Sequence, residues 1–267
     1  MSIVSKLTVG LLASACMGML SAQEIISIEK PADFAPSRQV AQAEDGAIVL
    51  KGNGAFTSVK DMTVDPAKKY QIIGEFCLKG GKTPNVYLGF VPYDGKNRQI
   101  TPSMIYINVK SLTEVAADAK KGDQVIKVKD ASKWDAKSPY SFVALGAKED
   151  FSDLPNGDCI FNQPGIKQNG EVWEIALRKP LTKDIAAGTQ VRQHFAGSSY
   201  IYTAGMFNKP SGQWVTKKGV ISGIAKFGPS YNKFWTGTKK AKVVVLILNG
   251  DGKSETLIRN IKVVEVK

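Results

Sequence analysis

The only histidine of this 267-residue chain is the first side chain to consider for acid–base chemistry. His194 lies two residues after Arg192, and with Tyr202 these side chains are the one combination that suits a polysaccharide lyase. A catalytic histidine also needs a nucleophile or an orienting acid close by. The sequence contains no Gly-x-Ser-x-Gly turn and no phosphate-binding glycine loop. We therefore predict no catalytic residue, and we expect His194 to have a structural or surface role.

An acidic cluster formed by Glu149, Asp150, Asp153 and Asp158 is a second candidate for chemistry. Two carboxylates could flank a glycosidic bond, and carboxylate oxygens are the ligands that calcium prefers. Loops are often acidic, however, so an ordinary solvated loop is the simpler interpretation. One histidine and two distant cysteines cannot supply a compact transition-metal site. We predict no cofactor and leave a structural calcium ion open.

Aromatic side chains are better candidates for ligand binding, because sugars stack their C–H faces on flat rings. Tyr87 and Tyr93 share one face of a predicted strand, and Tyr200 and Tyr202 share a face of another. Such tyrosines either form a platform for sugar rings or pack between two sheets. The tryptophans other than Trp173 are expected in the core. The predicted carbohydrate-binding residues are Tyr87, Tyr93, Tyr200, Tyr202 and Trp173.

The positive charge of the chain is unevenly placed. There are 36 Lys and Arg residues against 24 Asp and Glu residues, and residues 205–267 hold 12 of the former and 3 of the latter. Such a field attracts polyanions and makes their binding sensitive to salt. Lysines at strand edges also prevent aggregation, so this simpler role stays open. The residues predicted to bind a polyanion, either an acidic glycan or an anionic envelope surface, are Lys239, Lys240 and Lys242.

The first 22 residues have the pattern of a secretory signal peptide. Residues 1–6 are positively charged, residues 7–20 are apolar, and Ser21-Ala22 provides a cleavage site. The apolar run is too short for a comfortable membrane span, so none is predicted. Cys16 follows a sequence that loosely resembles a lipoprotein box, which leaves a lipid anchor as a lesser alternative. We predict a secreted, periplasmic or cell-surface protein, and export argues against a nucleic-acid partner.

Cleavage after Ala22 would leave two cysteines, Cys77 and Cys159. Cysteines in an oxidising compartment can form a disulfide. Cys77 lies in a predicted strand and Cys159 in a predicted loop. Both a disulfide between them and two separate thiols stay open.

The apolar pattern of the chain is typical of strands rather than helices. Predicted strands cover residues 70–78, 85–91, 105–109, 124–129, 141–145, 172–178, 200–203, 243–248 and 257–266. Turn residues at 93–96 and 249–252 are hairpin signals, and the second predicts that the last two strands are antiparallel neighbours. Only residues 112–120 leave room for a helical turn. Many short strands of this kind predict an all-β fold, namely an antiparallel β-sandwich.

Several strand and turn motifs resemble jelly-roll carbohydrate-binding modules of families 4 and 9. The similar segments are 64–66, 70–76 and 86–96 at the start, and 213–215, 237–239, 243–248 and 258–266 at the end. Residues 122–134, 153–156 and 187–192 resemble an insertion found in such modules. We therefore predict a galactose-binding-like jelly roll made of residues 23–111 and 196–267, with a small inserted β subdomain at 112–195. In that family an Asp at the place of Asn260 often helps to hold a structural calcium ion.

The function implied by these residues and by the resemblance is non-catalytic recognition of a polysaccharide. The tyrosines would stack on sugar rings, and the lysines would contribute if the glycan is acidic. One alternative is a structural protein of an envelope or extracellular matrix that uses the sandwich for protein contacts. A less favoured alternative is a polysaccharide lyase or hydrolase.

Overall fold

The computed structural model describes residues 23–204, 206–207 and 212–267, and its regular elements are almost all strands. Two single turns of 3₁₀ helix, Pro31–Asp33 and Pro102–Met104, are the helical elements of the described residues. The predicted all-β fold is confirmed. The strands are β1 (Glu24–Ile28), β2 (Val40–Gln42), β3 (Ile48–Lys51), β4 (Gly54–Thr63), β5 (Lys69–Gly80), β6 (Asn85–Tyr93), β7 (Thr113–Glu114), β8 (Val125–Val128), β9 (Ser141–Leu145), β10 (Cys159–Phe161), β11 (Lys167–Asn169), β12 (Val172–Ala176), β13 (Gln190–Phe195), β14 (Met206–Phe207), β15 (Val215–Ser222), β16 (Lys240–Leu248) and β17 (Glu255–Val266).

Two antiparallel sheets pack face to face as a β-sandwich. Sheet I has the order β15-β5-β17-β3-β2, with β1 paired to the second half of β17. Sheet II has the order β14-β6-β16-β4. Successive side chains of a strand point to opposite faces of its sheet. Every second side chain therefore enters the core shared by the two sheets, and the side chains between them face outward. Side chains of this core include Ile72, Phe76, Ile258, Leu88 and Val245.

Two smaller sheets surround a second core. Sheet III has the order β10-β9-β13-β7, and sheet IV has the order β11-β12-β8. Buried side chains from both sheets, among them Ile126, Val143, Ile175 and Val191, form one apolar cluster. All of these strands come from the segment 113–195. The boundaries of an inserted subdomain at 112–195 stay a prediction.

The predicted pairing of the last two strands is wrong. β16 pairs with β6 and β4 in sheet II, whereas β17 pairs with β5, β3 and β1 in sheet I. The turn between them therefore crosses from one sheet to the other. Its position is fixed by Asn53, whose side chain accepts a hydrogen bond from the backbone N–H of Gly250 at 2.9 Å. Both strands lie inside their sheets with a neighbour on each side, and each buries a run of apolar side chains, Val243–Ile247 in β16 and Ile261, Val263 and Val264 in β17.

Three shorter elements also differ from the predictions. Residues 105–109 and 200–203 were predicted as strands, but each forms only an isolated β-bridge. Ile107 pairs with His194, and Ile201 pairs with Phe90. Residues 112–120 contain β7 and turns instead of a helical turn. The predicted signal peptide at 1–22, with Cys16, lies outside the described residues. Within the described residues, no helix is long and apolar enough to cross a membrane.

Candidate functional site

The alternation of β6 places two of the predicted tyrosines on the outer face of sheet II. Val86, Leu88 and Phe90 point into the core and are completely buried. Tyr87 and Tyr93 have the opposite parity and are half-buried. Their rings are therefore available at the surface while their strand is held by the core beneath it.

The second tyrosine pair reaches the same face through the connection that follows β13. The backbones of Ile201 and Phe90 exchange two hydrogen bonds of 2.9 Å, and the Ile201 side chain is buried in the core. The ring centroids of Tyr87 and Tyr202 are 4.6 Å apart, and those of Tyr200 and Tyr202 are 6.2 Å apart. Three rings from two separate segments thus form one cluster.

Two glycines permit this connection to lie against the sandwich. A Cβ atom at Gly89 would overlap the carbonyl oxygen of Ile201, and one at Gly219 would overlap the carbonyl oxygen of Thr203. Gly89 belongs to sheet II and Gly219 to sheet I. The connection is therefore in backbone contact with both sheets, and this contact fixes where Tyr200 and Tyr202 lie.

Two of the predicted lysines join the tyrosines. Lys240 and Lys242 alternate along β16 with the buried Ala241 and Val243, so they share the outer face of sheet II. The Nζ atom of Lys242 lies 6.0 Å from the centre of the Tyr93 ring, near the limit for a cation–π contact. Lys240 is 3.8 Å from the carboxylate of Asp61. We name the surface of Tyr87, Tyr93, Tyr200, Tyr202, Lys240 and Lys242 the tyrosine face.

Burial affects the titration of two phenols of the tyrosine face, those of Tyr93 and Tyr202. Burial raises the pKa of Tyr93, and the nearby Tyr200 and Asp61 raise it further. Burial also raises the pKa of Tyr202, which outweighs the opposite effect of a hydrogen bond with Ser198. Neutral phenols both donate and accept hydrogen bonds, as is needed to bind hydroxyl groups, and they are poor bases at neutral pH.

Two of the predicted residues do not belong to the tyrosine face, Trp173 because it lies elsewhere and Lys239 because it lies at the margin. Trp173 belongs to β12, where it pairs with Val128 and Gln168, and it packs partly buried against the second core. The structure therefore does not bring Trp173 together with the tyrosines. Lys239 precedes β16 at the margin of the face, where its backbone N–H donates to the Tyr93 carbonyl oxygen at 2.8 Å and its side chain is exposed.

His194 and Arg192 form a buried polar cluster with Asp153. The Arg192 Nη2 atom lies 2.6 Å from Asp153 Oδ2, and the two side chains are only 1% and 5% exposed. Arg192 Nε donates to His194 Nε2 at 3.3 Å. The other ring nitrogen, Nδ1, lies 2.7 Å from the Ser103 carbonyl oxygen and must donate to it. Both nitrogens of the imidazole are thus occupied by structural hydrogen bonds.

The surroundings of His194 keep its ring neutral. Burial lowers the pKa of His194 to about 4, and the Arg192 cation acts in the same direction. Tyr202, the third member of the group considered for a lyase, contacts Tyr87 and Tyr200 instead. Arg192 and His194 therefore belong to the buried polar cluster, whereas Tyr202 belongs to the tyrosine face. The buried cluster links β13 to the 3₁₀ turn that contains Ser103.

The acidic residues considered for calcium or catalysis are used separately. Asp153 pairs with Arg192, and Asp158 pairs with Lys183 at 2.6 Å. Asp150 accepts a hydrogen bond from the backbone N–H of Ser152. Among the described residues, no group of three or more His, Cys, Asp or Glu side chains is placed to hold a metal ion.

The disulfide left open by the sequence is not formed. Cys77 is buried beside Val49 and Leu257, against the second face of sheet I. Cys159 lies on β10, where its Sγ atom is 3.9 Å from His194 Nδ1. Burial raises the pKa of the Cys159 thiol to about 12, and the Asp158 carboxylate adds to this effect. A thiol in that state is a weak nucleophile.

One pocket was not predicted from the sequence. Residues 157–161 and 178–183 line a pocket of about 560 Å³ beside sheet III. Its walls carry Phe161 from one segment and Arg178 and Lys183 from another, 17 residues further along the chain. Only the folded backbone brings them together, and no spacing rule in the sequence could have identified them.

Comparisons with known proteins do not indicate a function. No model of a known protein family matches the chain, and no curated protein matches it either.

Proposed function

We propose that this is an exported, non-catalytic protein of the jelly-roll carbohydrate-binding type that binds a polysaccharide on the tyrosine face. The observation that carries the proposal is the meeting of Tyr87, Tyr200 and Tyr202 in one half-exposed cluster of rings. Flat phenol rings offer both stacking surfaces and hydrogen bonds to sugar hydroxyls. Tyr87 is held by β6, and Tyr202 is held beside it by the bridge between Ile201 and Phe90, so the rings are placed before a ligand arrives, which reduces the entropy lost on binding.

The lysines of the tyrosine face favour an acidic polysaccharide. Lys242 lies beside the Tyr93 ring, so a sugar stacked on this tyrosine would place a carboxylate or sulfate within reach of the ammonium group. Lys240 is held by Asp61 over 3.8 Å, and both side chains of this pair are about 40% exposed. Exposed pairs of this kind are weak, so Lys240 can exchange its partner for a ligand anion.

Calorimetric titration with polygalacturonate and with a neutral galactan, at low and high salt, tests this proposal. We expect polygalacturonate to bind more tightly, and its binding to weaken as salt screens the lysines. Tyr202→Ala should weaken binding by about tenfold or more, because buried aromatic contacts dominate such sites. Tyr140→Ala is the matched control, since Tyr140 is a tyrosine that is 64% exposed and directly precedes β9 of sheet III rather than belonging to sheet II.

The lysine contribution needs its own pair of variants. The double variant Lys240→Gln/Lys242→Gln should lose most of the salt dependence, whereas Lys167→Gln/Lys218→Gln removes the same charge from exposed positions on sheets IV and I. Equal effects of the two double variants would show that only the net charge matters. Wild-type protein that binds neither glycan, or that converts polygalacturonate to unsaturated fragments, would overturn the proposal.

A further inference from the structure

The pocket beside sheet III has the features of a ligand site that is separate from the tyrosine face. One wall is formed by β10 and the two residues before it, and the other by residues 178–183. Its volume of about 560 Å³ exceeds what a single sugar ring requires. The tyrosine face belongs to sheet II, so a ligand in this pocket would contact a different set of strands.

A fixed guanidinium group stands in the wall of the pocket. The Arg178 Cζ atom lies 3.9 Å from the centre of the Phe161 ring. Phe161 in turn stacks on Phe142, with ring centroids 4.6 Å apart and planes inclined by 16°. Arg178 Nη2 donates to the Pro139 carbonyl oxygen at 2.6 Å. Stacking on one side and a hydrogen bond at one nitrogen hold the plane of Arg178 before any ligand arrives.

The remaining donors of Arg178 suit an oxyanion. A guanidinium group has five N–H donors, and in the described residues the structure gives this side chain one hydrogen-bond acceptor. A planar fork of this kind binds a carboxylate through two parallel hydrogen bonds. Because the side chain is already ordered, little rotamer entropy is lost on binding.

The charges around Arg178 point to the same class of ligand. The lining of the pocket contains three basic side chains, those of Arg178, Lys179 and Lys183, and one carboxylate, that of Asp158. Lys183 and Asp158 form an ion pair of 2.6 Å in which the side chains are 55% and 48% exposed. A pair that exposed contributes little stability, so Lys183 remains able to contact a second anion. Apolar side chains of Ile160, Phe161, Pro180 and Leu181 also line the pocket and suit C–H groups.

We propose that this pocket is a second binding site that takes one carboxylate-bearing sugar, a uronic acid, with the carboxylate on Arg178 and the ring against the apolar wall. The proposal rests on the proposed function in one respect, namely that the ligand is a sugar. It adds a subsite for a single acidic residue, such as the end of a chain, to the extended tyrosine face.

Titration of ¹⁵N-labelled protein with galacturonate and with galactose, followed by NMR, tests this site. We expect saturable shifts of the backbone amides of residues 157–161 and 178–183 with galacturonate, and much weaker shifts with galactose. Arg178→Gln should weaken galacturonate binding by about tenfold or more, as expected for the loss of a charge-assisted hydrogen bond. Lys167→Gln, which removes an exposed charge on sheet IV, should bind as the wild type does.

The same spectra separate this proposal from the proposed function. Shifts at residues 87, 93, 200 and 202 without shifts at the pocket would overturn the pocket alone. Pocket shifts that vanish in Arg178→Gln, together with unaffected polygalacturonate binding at the tyrosine face, would support both sites as independent. Equal responses to galacturonate, galactose and sodium chloride would show that the pocket does not recognise a carboxylated sugar.

Discussion

The ring of Tyr87 lies 4.6 Å from the ring of Tyr202, although the two tyrosines come from distant parts of the chain. Tyr87 is fixed by β6, an inner strand of sheet II, because its neighbours Val86 and Leu88 are completely buried. Tyr202 has no strand of its own and depends on the backbone bridge between Ile201 and Phe90. The contact between the two rings therefore reports whether this connection is correctly placed on the sandwich.

Gly89→Ala should displace the connection and separate the two rings. The new Cβ atom would overlap the Ile201 carbonyl oxygen, which is backbone and cannot rotate away. We expect a loss of about 1–3 kcal/mol in the free energy of unfolding, the usual range for an overpacked site, and weaker glycan binding. Urea unfolding and calorimetry measure the two effects.

Gly80→Ala is the control for this prediction. It lies in β5, and its Cβ would meet nothing within 4 Å. This variant should change neither stability nor binding by a measurable amount. If Gly89→Ala were as stable and as active as Gly80→Ala, the connection would not depend on a close approach at Gly89.

The tyrosine face shows what a strand pattern can and cannot predict. Alternation along β6 predicts that Tyr87 and Tyr93 share a face, because side chains of a strand alternate. Tyr200 and Tyr202 lie in a connection with one bridge, where no period governs the side chains. Their meeting with Tyr87 depends on a long-range backbone contact, and such contacts leave no local signature.

The order of strands in the sheets could not be predicted from the sequence either. The Asn249–Gly252 sequence is a good turn, and a turn between two strands predicts a hairpin when nothing else is known. Here the flanking strands are each the centre of a different sheet, so the turn bridges the layers of the sandwich. The apolar character of both strands predicted their burial, but it carries no information about which sheet they join.

Arg192→Met should destabilise the protein by about 3–5 kcal/mol, because it leaves the Asp153 carboxylate buried without its cation. The pair is 2.6 Å long and at most 5% exposed. Urea unfolding at neutral pH measures the loss. The double variant Arg192→Met/Asp153→Leu should recover part of it, since no charge is then left unpaired.

Lys129→Met provides the matched surface comparison. Lys129 and Glu114 also lie 2.6 Å apart, but their side chains are 63% and 39% exposed. Breaking this pair should cost less than about 1 kcal/mol. Similar losses for Arg192→Met and Lys129→Met would mean that burial does not govern the strength of the Arg192–Asp153 interaction.

His194 should make the protein less stable as the pH falls from about 6.5 to about 4. Burial is the main cause that lowers its pKa from 6.5 to about 4; the hydrogen bond with Ser103 opposes this and the Arg192 cation adds to it, so the unfolded chain binds the proton more readily in this range. The stability that the neutral ring contributes is complete above pH 6.5 and is lost as the pH falls through this window. The difference corresponds to about 3 kcal/mol.

His194→Gln separates this effect from the carboxylates. Glutamine does not titrate, so the variant should lose the slope between pH 6.5 and 4 and keep the acid unfolding below it. There Asp153 contributes: burial raises its pKa, but hydrogen bonds from Asn156 and Arg192 outweigh this and lower it overall. An unchanged slope in His194→Gln, measured by urea unfolding at several pH values, would assign the titration to another group.

The thiol of Cys159 should resist alkylation in the folded protein at pH 8. Burial and the Asp158 carboxylate raise its pKa to about 12, so the reactive thiolate is scarce. Cys77 should also resist, because it is only 7% exposed. In urea without a reductant, both cysteines should react with iodoacetamide, since they are not joined to each other. Peptide mapping by mass spectrometry measures each site, and rapid labelling of Cys159 in the native state, or protection of both cysteines in urea, would contradict this arrangement of β10 against His194.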